Sequence, residues 1–399
     1  MHVLIITQYF PPEIGASASR WGDYAEILIK QNHKVTILCE SPHYPNSSYF
    51  SGYKNSFYTL EKRSESLTII RSKAYASDRK TFIKKMTHYF VFMFSAIINA
   101  RKIKNYDLLI ISSPPLFTGV IGLYIKFFYK NNFWLDIRDL WPDSALELGQ
   151  LKKGFLYKLG KKLEKLIYSS AKGFIFPVPE FKSYLSNFSN EISKKPMIEL
   201  LNGISEDFIK KTQSINISNN QKFIVLYSGN MGLAQDLKTI IKVADLLSEY
   251  DINFQFIGEG VCKTEIEILA KPFRKKIDFH NSMSRKKLIN YIKKSSVCLV
   301  PLKNKKLFEF ALPSKMFEYM ACAKPVIVGV RGEAKKIVNA SNAGIAIEPE
   351  DPIMLSEAIL TYYNDEEKCK SDGYNGMTYI TKKLSKEVLI SNLINQMKK

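Results

Sequence analysis

Short apolar runs, each followed by a loop and a helical stretch, recur along this chain. Residues 2–7 read HVLIIT, a strand pattern. The loop QYFPPEIGASAS follows, then an apolar-periodic helix over about 18–30, and 34–39, KVTILC, is the next strand. Strand, glycine-bearing loop, helix and strand in that order open a doubly wound α/β domain. Further strands are expected at 67–71, 108–112, 133–137, 173–178 and 197–201. Residues 210–221, KKTQSINISNNQ, are polar and rich in Ser and Asn, so they read as a linker. A second series begins after them, with strands at 222–227, 254–257, 277–280, 297–301, 326–330 and 344–347. The pattern predicts two doubly wound domains, 1–209 and 210–384, facing a central cleft. A last amphipathic helix, 385–399, is expected to pack back on the first domain. Ligands of such sheets bind beyond the carboxyl ends of the strands. Gly15, Arg138, Asp139, Gly229 and Lys315 all follow expected strands there.

Composition narrows the function. At 399 residues, 46% of them hydrophobic, the chain is long enough for two buried cores. No apolar run reaches the roughly 18–20 residues of a membrane-spanning helix. The N-terminus lacks the basic flank and small-residue cleavage site of a signal peptide. Cys39, Cys262, Cys298, Cys322 and Cys369 form no CxxC pair and have no histidine at ligand spacing. That argues for a reduced compartment and against a structural zinc site. The formal charge of +20 suits nucleic acid, an anionic bilayer or phosphorylated substrates. No zinc-finger spacing or RNP-type motif accompanies it, so nucleic acid is not expected as a partner.

The stretch 307–325, LFEFALPSKMFEYMACAKP, carries the most chemistry. Pro313-Ser314 reads as a helix start, with serine able to cap free backbone N–H groups. Lys315 then places a cation at a helix N-terminus, where anions bind well. Glu318 shares its helix face. Together they form a grip for a phosphorylated ligand that also carries hydroxyls; an ordinary capped helix with surface charges is the plain alternative. Gly15 and Ala16 let the first loop approach a ligand closely, although a full GxGxxG is absent.

Two helical regions of the first half are unusual. Residues 86–98, MTHYFVFMFSAII, are apolar on nearly every face, and 115–129 is nearly as apolar. Residues 151–167 set Leu151, Phe155, Leu156, Leu159, Leu163, Leu166 and Ile167 against a face of six lysines. Such a helix either packs on a core with its lysines solvated or lies on an anionic membrane surface. The all-round apolar neighbour tips the reading towards the membrane.

Several segments, in this order and spacing, resemble the GT4-type glycosyltransferases of the GT-B fold. They are PPEIGASASR at 11–20, LDIRDLWPDS at 135–144, Asn202-Gly203 before Phe208, YSGNMG at 227–232, FIGEG at 256–260 and LPSKMFEYMACAKP at 312–325. More narrowly, the chain looks like the bacterial WbuB-like enzymes that transfer an acetamido sugar in O-antigen and capsule assembly. The resemblance implies a UDP-sugar donor, and the apolar and basic helices suit a polyprenyl-diphosphate-linked acceptor. The resemblance places Gly15 and Ala16 near the donor diphosphate, with Gly229 and Asn230 at the second-domain phosphate loop. Lys315 and Ser314 would neutralise the diphosphate, Glu318 would bind the ribose, and Gly258 and Glu259 would border the base. The chain departs from the family's paired glutamates: the position eight before Glu318 is Phe310, and Glu309 is one place off. Arg138 stands where a histidine is common.

Transfer of a sugar needs a stabilised leaving diphosphate, and oriented donors can contribute about 3 kcal/mol each. No metal or other cofactor is expected, because no DxD stands in a convincing context. Asp139 is the first candidate for a general base or acceptor contact, with Arg138 beside it. Asp136 is a second acceptor-side candidate or a buried structural acid, and His88 an acceptor-side group or simple packing. The expected protein is a peripheral enzyme at the cytoplasmic face of the cell membrane. A nucleotide-sugar 2-epimerase and a non-catalytic basic membrane-surface scaffold remain the alternatives.

Overall fold

A computed structural model describes residues 1–13, 16–43, 48–77, 81–147, 151–215 and 222–398, apart from the side chains of residues 16, 17, 82, 147, 307 and 310. The chain divides into two compact units, 1–201 with 390–399, and 202–389. Each is a Rossmann-like α/β domain.

The first unit holds β1 (His2–Ile6), β2 (Lys34–Glu40), β3 (Tyr58–Lys62), β4 (Leu67–Ser72), β5 (Leu108–Ser113), β6 (Trp134–Ile137), β7 (Gly173–Phe176) and β8 (Met197–Glu199). Their order across the sheet is β3-β4-β2-β1-β5-β6-β7-β8. All neighbours run parallel except β3, which pairs antiparallel with β4. The central strands are near-continuous runs of Val, Ile and Leu because helices cover both of their faces. The sheet order reverses direction between β1 and β5, whose registers pair Val3 with Leu108 and Ile6 with Ile111. Strand β3 is absent from the sequence reading. Its residues YTLEK alternate between exposed and half-buried, as suits an edge strand, and so leave no apolar run.

The second unit holds β9 (Phe223–Ser228), β10 (Ile252–Ile257), β11 (Ile277–His280), β12 (Val297–Pro301), β13 (Val326–Gly329) and β14 (Gly344–Ala346). They form a parallel sheet in the order β11-β10-β9-β12-β13-β14. Its reversal lies between β9 and β12, where Val225 pairs with Val297.

The division falls after Leu201 rather than at the expected 209/210. The helix Glu206–Gln213 belongs with the second unit. It buries Phe208 and Ile209, and Thr212 Oγ1 donates to the Ala321 carbonyl at 3.0 Å. Residues 210–213 of the polar stretch are thus helix within the second unit, and residues 216–221 lie outside the described residues. The C-terminal helix Lys386–Lys398 buries Ile390, Leu393, Ile394 and Met397, and from Ile390 onward it groups with the first unit.

The basic helix begins at Phe155 and runs to Ser170. It packs on the core through Gly160, Glu164, Ile167 and Tyr168, so within this helix the apolar stripe read from the sequence faces inward only at Ile167 and, in part, at Leu163. Phe155, Leu156, Leu159 and Leu166 are instead exposed. Among the described residues no helix is long and apolar enough to cross a membrane.

Candidate active site

In the second unit the strand ends at the β9/β12 reversal gather one group of side chains. Strand β9 ends at Ser228, and Gly229 follows with φ +124°. A Cβ at Gly229 would stand 2.9 Å from Lys315 Nζ, so only glycine leaves the ammonium its place. Gly229 N–H donates to the Ile257 carbonyl at 2.8 Å, which locks the loop after β9 to the end of β10. Gly258, with φ +145°, lies against it; a Cβ there would overlap the Gly229 carbonyl oxygen.

Lys315 rises from the second position of the helix Ser314–Ala321. Met316, Phe317, Tyr319, Met320 and Ala321 bury the other face of that helix and fix it against the sheet. Lys315 Nζ donates to Tyr227 Oη at 2.9 Å and lies 4.0 Å from the centre of the Tyr227 ring. Tyr227 in turn donates to the Asn230 carbonyl at 2.5 Å. Tyr319 Oη accepts from Ser228 N–H at 2.8 Å, tying the helix to the end of β9. Burial pulls the Lys315 ammonium down to about 7, with Glu318 opposing the shift. A lysine in that state gains from an incoming anion, which restores the favourable environment of its charge.

The expected serine cap is not formed. Pro313 occupies the cap position, Ser314 is exposed in the first turn, and no side chain caps this end. That end offers backbone N–H groups to an anion instead. Glu318 accepts from Arg285 Nη2 at 3.0 Å, and Arg285 lies over the Phe208 ring. Glu259 is exposed and paired with Lys263 at 3.0 Å. Glu309 sits in the 3-10 turn Lys306–Phe310, and its carbonyl packs against Gly332. Gly15 and the side chains of Ala16 and Phe310 lie outside the described residues.

In the first unit, Asp136 at the end of β6 is fully buried. It accepts from Ser112 Oγ at 2.8 Å, Trp21 Nε1 at 3.0 Å and Arg20 Nη2 at 3.3 Å, and pairs with Arg138 Nε at 3.5 Å. These contacts are those of a structural acid, and they leave no surface for an acceptor. His88 is likewise fully enclosed, so it presents nothing to an acceptor in this structure. Nor is it apolar packing: Nδ1 lies 2.9 Å from the Tyr75 carbonyl and Nε2 2.7 Å from Gln8 Nε2. Asp139 and Arg138 are partly exposed. Arg138 Nε and Nη2 have no hydrogen-bond partner among the described residues. Burial lowers the Arg138 pKa from its ordinary value, with Asp136 opposing. An arginine so placed can donate to an anionic oxygen.

The structure thus brings together Gly229, Asn230, Gly258 and Lys315, with Tyr227 and Tyr319 as additions, and it pairs Glu318, on the same helix as Lys315, with Arg285. Tyr227 and Tyr319 lie inside or beside recognisable motifs, yet nothing in their spacing tells which one meets the lysine.

Residues 208–378 match the family model described as glycosyl transferases group 1. The chain is 23% identical over 287 residues to a protein of Escherichia coli (strain K12) named "Putative colanic acid biosynthesis glycosyl transferase WcaI", covering 68% of this chain and 69% of that one. Sucrose-phosphate synthase from Thermosynechococcus elongatus shares the fold with a TM-score of 0.71 at 16% identity, over 100% of this chain and 98% of its own. Anabaena HepE in complex with UDP does so with a TM-score of 0.62 at 10% identity, over 100% of both chains. Two Rossmann-like domains and this likeness define the GT-B fold. Residues 208–378 carry the group 1 glycosyl transferase module, and the chain is a glycosyltransferase.

Proposed function

We propose that this glycosyltransferase moves an acetamido-deoxy sugar from a UDP-sugar to a polyprenyl-diphosphate-linked saccharide in cell-surface polysaccharide assembly. It would work as a peripheral protein at the cytoplasmic face of the cell membrane. The observation that carries the membrane-linked acceptor is one face of the first unit. Three helices share it, Phe82–Ala100, Thr118–Tyr129 and Phe155–Ser170, and they pack side by side. Ile83, Phe94, Phe127, Phe128 and Phe155 are exposed there by 76, 61, 69, 61 and 79%. Lys152, Lys153, Lys158, Lys162 and Lys165 stand exposed along the same region. Apolar side chains at this exposure beside a row of cations fit the boundary of an anionic bilayer.

For the donor, the support is Lys315 beside the uncapped helix end and Gly229. Their chemistry suits a diphosphate leaving group without a side-chain acid to repel it, since Glu318 is engaged by Arg285. The base and the acetamido group rest on the resemblance to the WbuB-like enzymes. HepE was solved with UDP, which supports the choice of base, and the E. coli relative is named for colanic acid biosynthesis, which supports the polysaccharide pathway.

The test is UDP release from a panel of UDP- and GDP-sugars, with and without bacterial membrane lipid extract. Release that requires the extract and vanishes in Lys315→Ala is the expected result. Conversion of donor without extract would favour an epimerase, and turnover that survives Lys315→Ala would remove this assignment. In parallel, the double variant Phe127→Ser/Phe155→Ser should lose at least about tenfold in binding to vesicles containing anionic lipid, given the area each ring would bury. Undiminished vesicle binding would sink the membrane face.

A further inference from the structure

Beyond the carboxyl ends of β1 and β2 lies a buried set of side chains that the glycosyl transfer does not use. Glu40 ends β2, His43 follows three residues later, and His88 reaches in from the middle of the helix Phe82–Ala100. All three are fully buried. We propose that Glu40, His43 and His88 form a binding site for a divalent first-row transition metal, with zinc the best fit. The proposal departs from the expectation of no metal and does not depend on the donor or acceptor assigned above.

The geometry carries it. One ligand atom from each residue lies within 4.8 Å of the others. Glu40 Oε1 is 3.6 Å from His88 Nε2 and 3.6 Å from His43 Nδ1. His43 Nδ1 also lies 3.1 Å from the Ser41 carbonyl, so a metal bound there requires its proton to move to Nε2. Around zinc, with bonds near 2.0–2.1 Å, tetrahedral donors stand about 3.4 Å apart, so the two Glu40–histidine separations need only a small contraction. Two imidazoles and a carboxylate without thiolate suit zinc, and also cobalt or nickel, more than calcium or magnesium.

The orientation of His88 points the same way. Its Nδ1 lies 2.9 Å from the Tyr75 carbonyl, so Nδ1 carries the proton and Nε2 keeps its lone pair, with Gln8 Nε2 at 2.7 Å, Tyr9 Oη at 3.1 Å and Glu40 Oε1 at 3.6 Å. A histidine that donates its second N–H to a backbone carbonyl is the usual outer support of a metal ligand. Gln8 adds an independent sign. Its Nε2 lies 2.8 Å from Glu40 Oε2 and 2.7 Å from His88 Nε2, while its buried Oε1 has no hydrogen-bond partner among the described residues. Exchanging the two amide atoms by rotation turns Oε1 towards the same point and offers a fourth donor. Glu13 Oε1, 3.8 Å from His43 Nδ1, stands just outside. An ion held here would fasten the ends of β1 and β2 to the long helix.

The experiment uses the untagged full-length chain. Elemental analysis is followed by chelation and titration with Co(II), read by its visible absorption. The expected result is about one equivalent of metal per chain, falling at least about tenfold in His88→Gln and in the isosteric Glu40→Gln. Circular dichroism confirms that each variant folds. If His88→Gln does not fold, Glu40→Gln decides alone. Less than about a tenth of an equivalent of Co(II) on the folded wild type would overturn the site. Binding that survives the folded substitutions would place the metal elsewhere and overturn it as well. In either case the cluster is a hydrogen-bonded network and nothing more.

Discussion

Both units place a charged side chain at the strand ends of a parallel sheet, and they treat it in opposite ways. Asp136 in the first unit meets Arg20, Trp21, Ser112 and Arg138 within 3.5 Å. Lys315 in the second meets one hydroxyl and one aromatic face among the described residues. A buried charge with its partners in place holds structure, because the cost of leaving water has been offset. A buried charge short of partners has a shifted pKa and is available to a ligand. The contrast separates a charge held by its neighbours from one left open to a ligand, although both follow strands in recognisable motifs.

The largest effect should come from removing the satisfied charge. Asp136→Ala strands Arg20 and Arg138 in the interior and should lower unfolding free energy by about 3–5 kcal/mol, measured by urea denaturation. A stable but inactive Asp136→Ala would break the contrast and return Asp136 to the reaction. Next, Lys315→Ala should cost about 10²–10³ in kcat with no loss of thermal stability, since a poorly solvated cation is removed.

The pH dependence of UDP binding sharpens the same point. In the free protein Lys315 titrates at about 7. A bound diphosphate holds it protonated, so binding takes up a proton and weakens as pH rises. Calorimetry between roughly pH 7 and 9 should show affinity falling by up to about tenfold per pH unit, and a flat profile in Lys315→Gln. A flat wild-type profile would mean that the lysine stays charged without ligand. The free protein behaves in the opposite sense. Between about 7 and the ordinary 10.5, the unfolded lysine holds a proton that the folded one has released, so stability rises with pH across that window. The smallest effect is expected from Gly229→Ala. Its methyl group would crowd Lys315 Nζ at 2.9 Å on a backbone of φ +124°, and donor KM should rise a few-fold, on the order of 1 kcal/mol of strain. An unchanged KM would show that the loop shifts freely.

The strands were legible in the chain because their apolar runs are buried on both faces, and every expected strand is present. Strand β3 was not, because an edge strand of alternating YTLEK has no run to see. The helix start at 313–314 was legible, and Lys315 stands in its first turn as read. The serine cap was misplaced, since Pro313 took the cap position. The 151–167 stretch showed its amphipathic composition plainly but not its orientation. Gly160 allows close packing against Trp141, so the helix turns that side inward and leaves Phe155 and Leu159 outside.

Periodicity and order along the chain therefore determined the α/β class, the parallel strands of two sheets and the loops at their carboxyl ends. These are local properties, written in neighbours a few residues apart. Tertiary structure alone decided which charges are satisfied. Arg20 reaches Asp136, Tyr227 reaches Lys315, and His88 reaches Glu40 across separations that no spacing rule covers. Desolvation depends on everything packed around a group, and that is known only once the chain has folded.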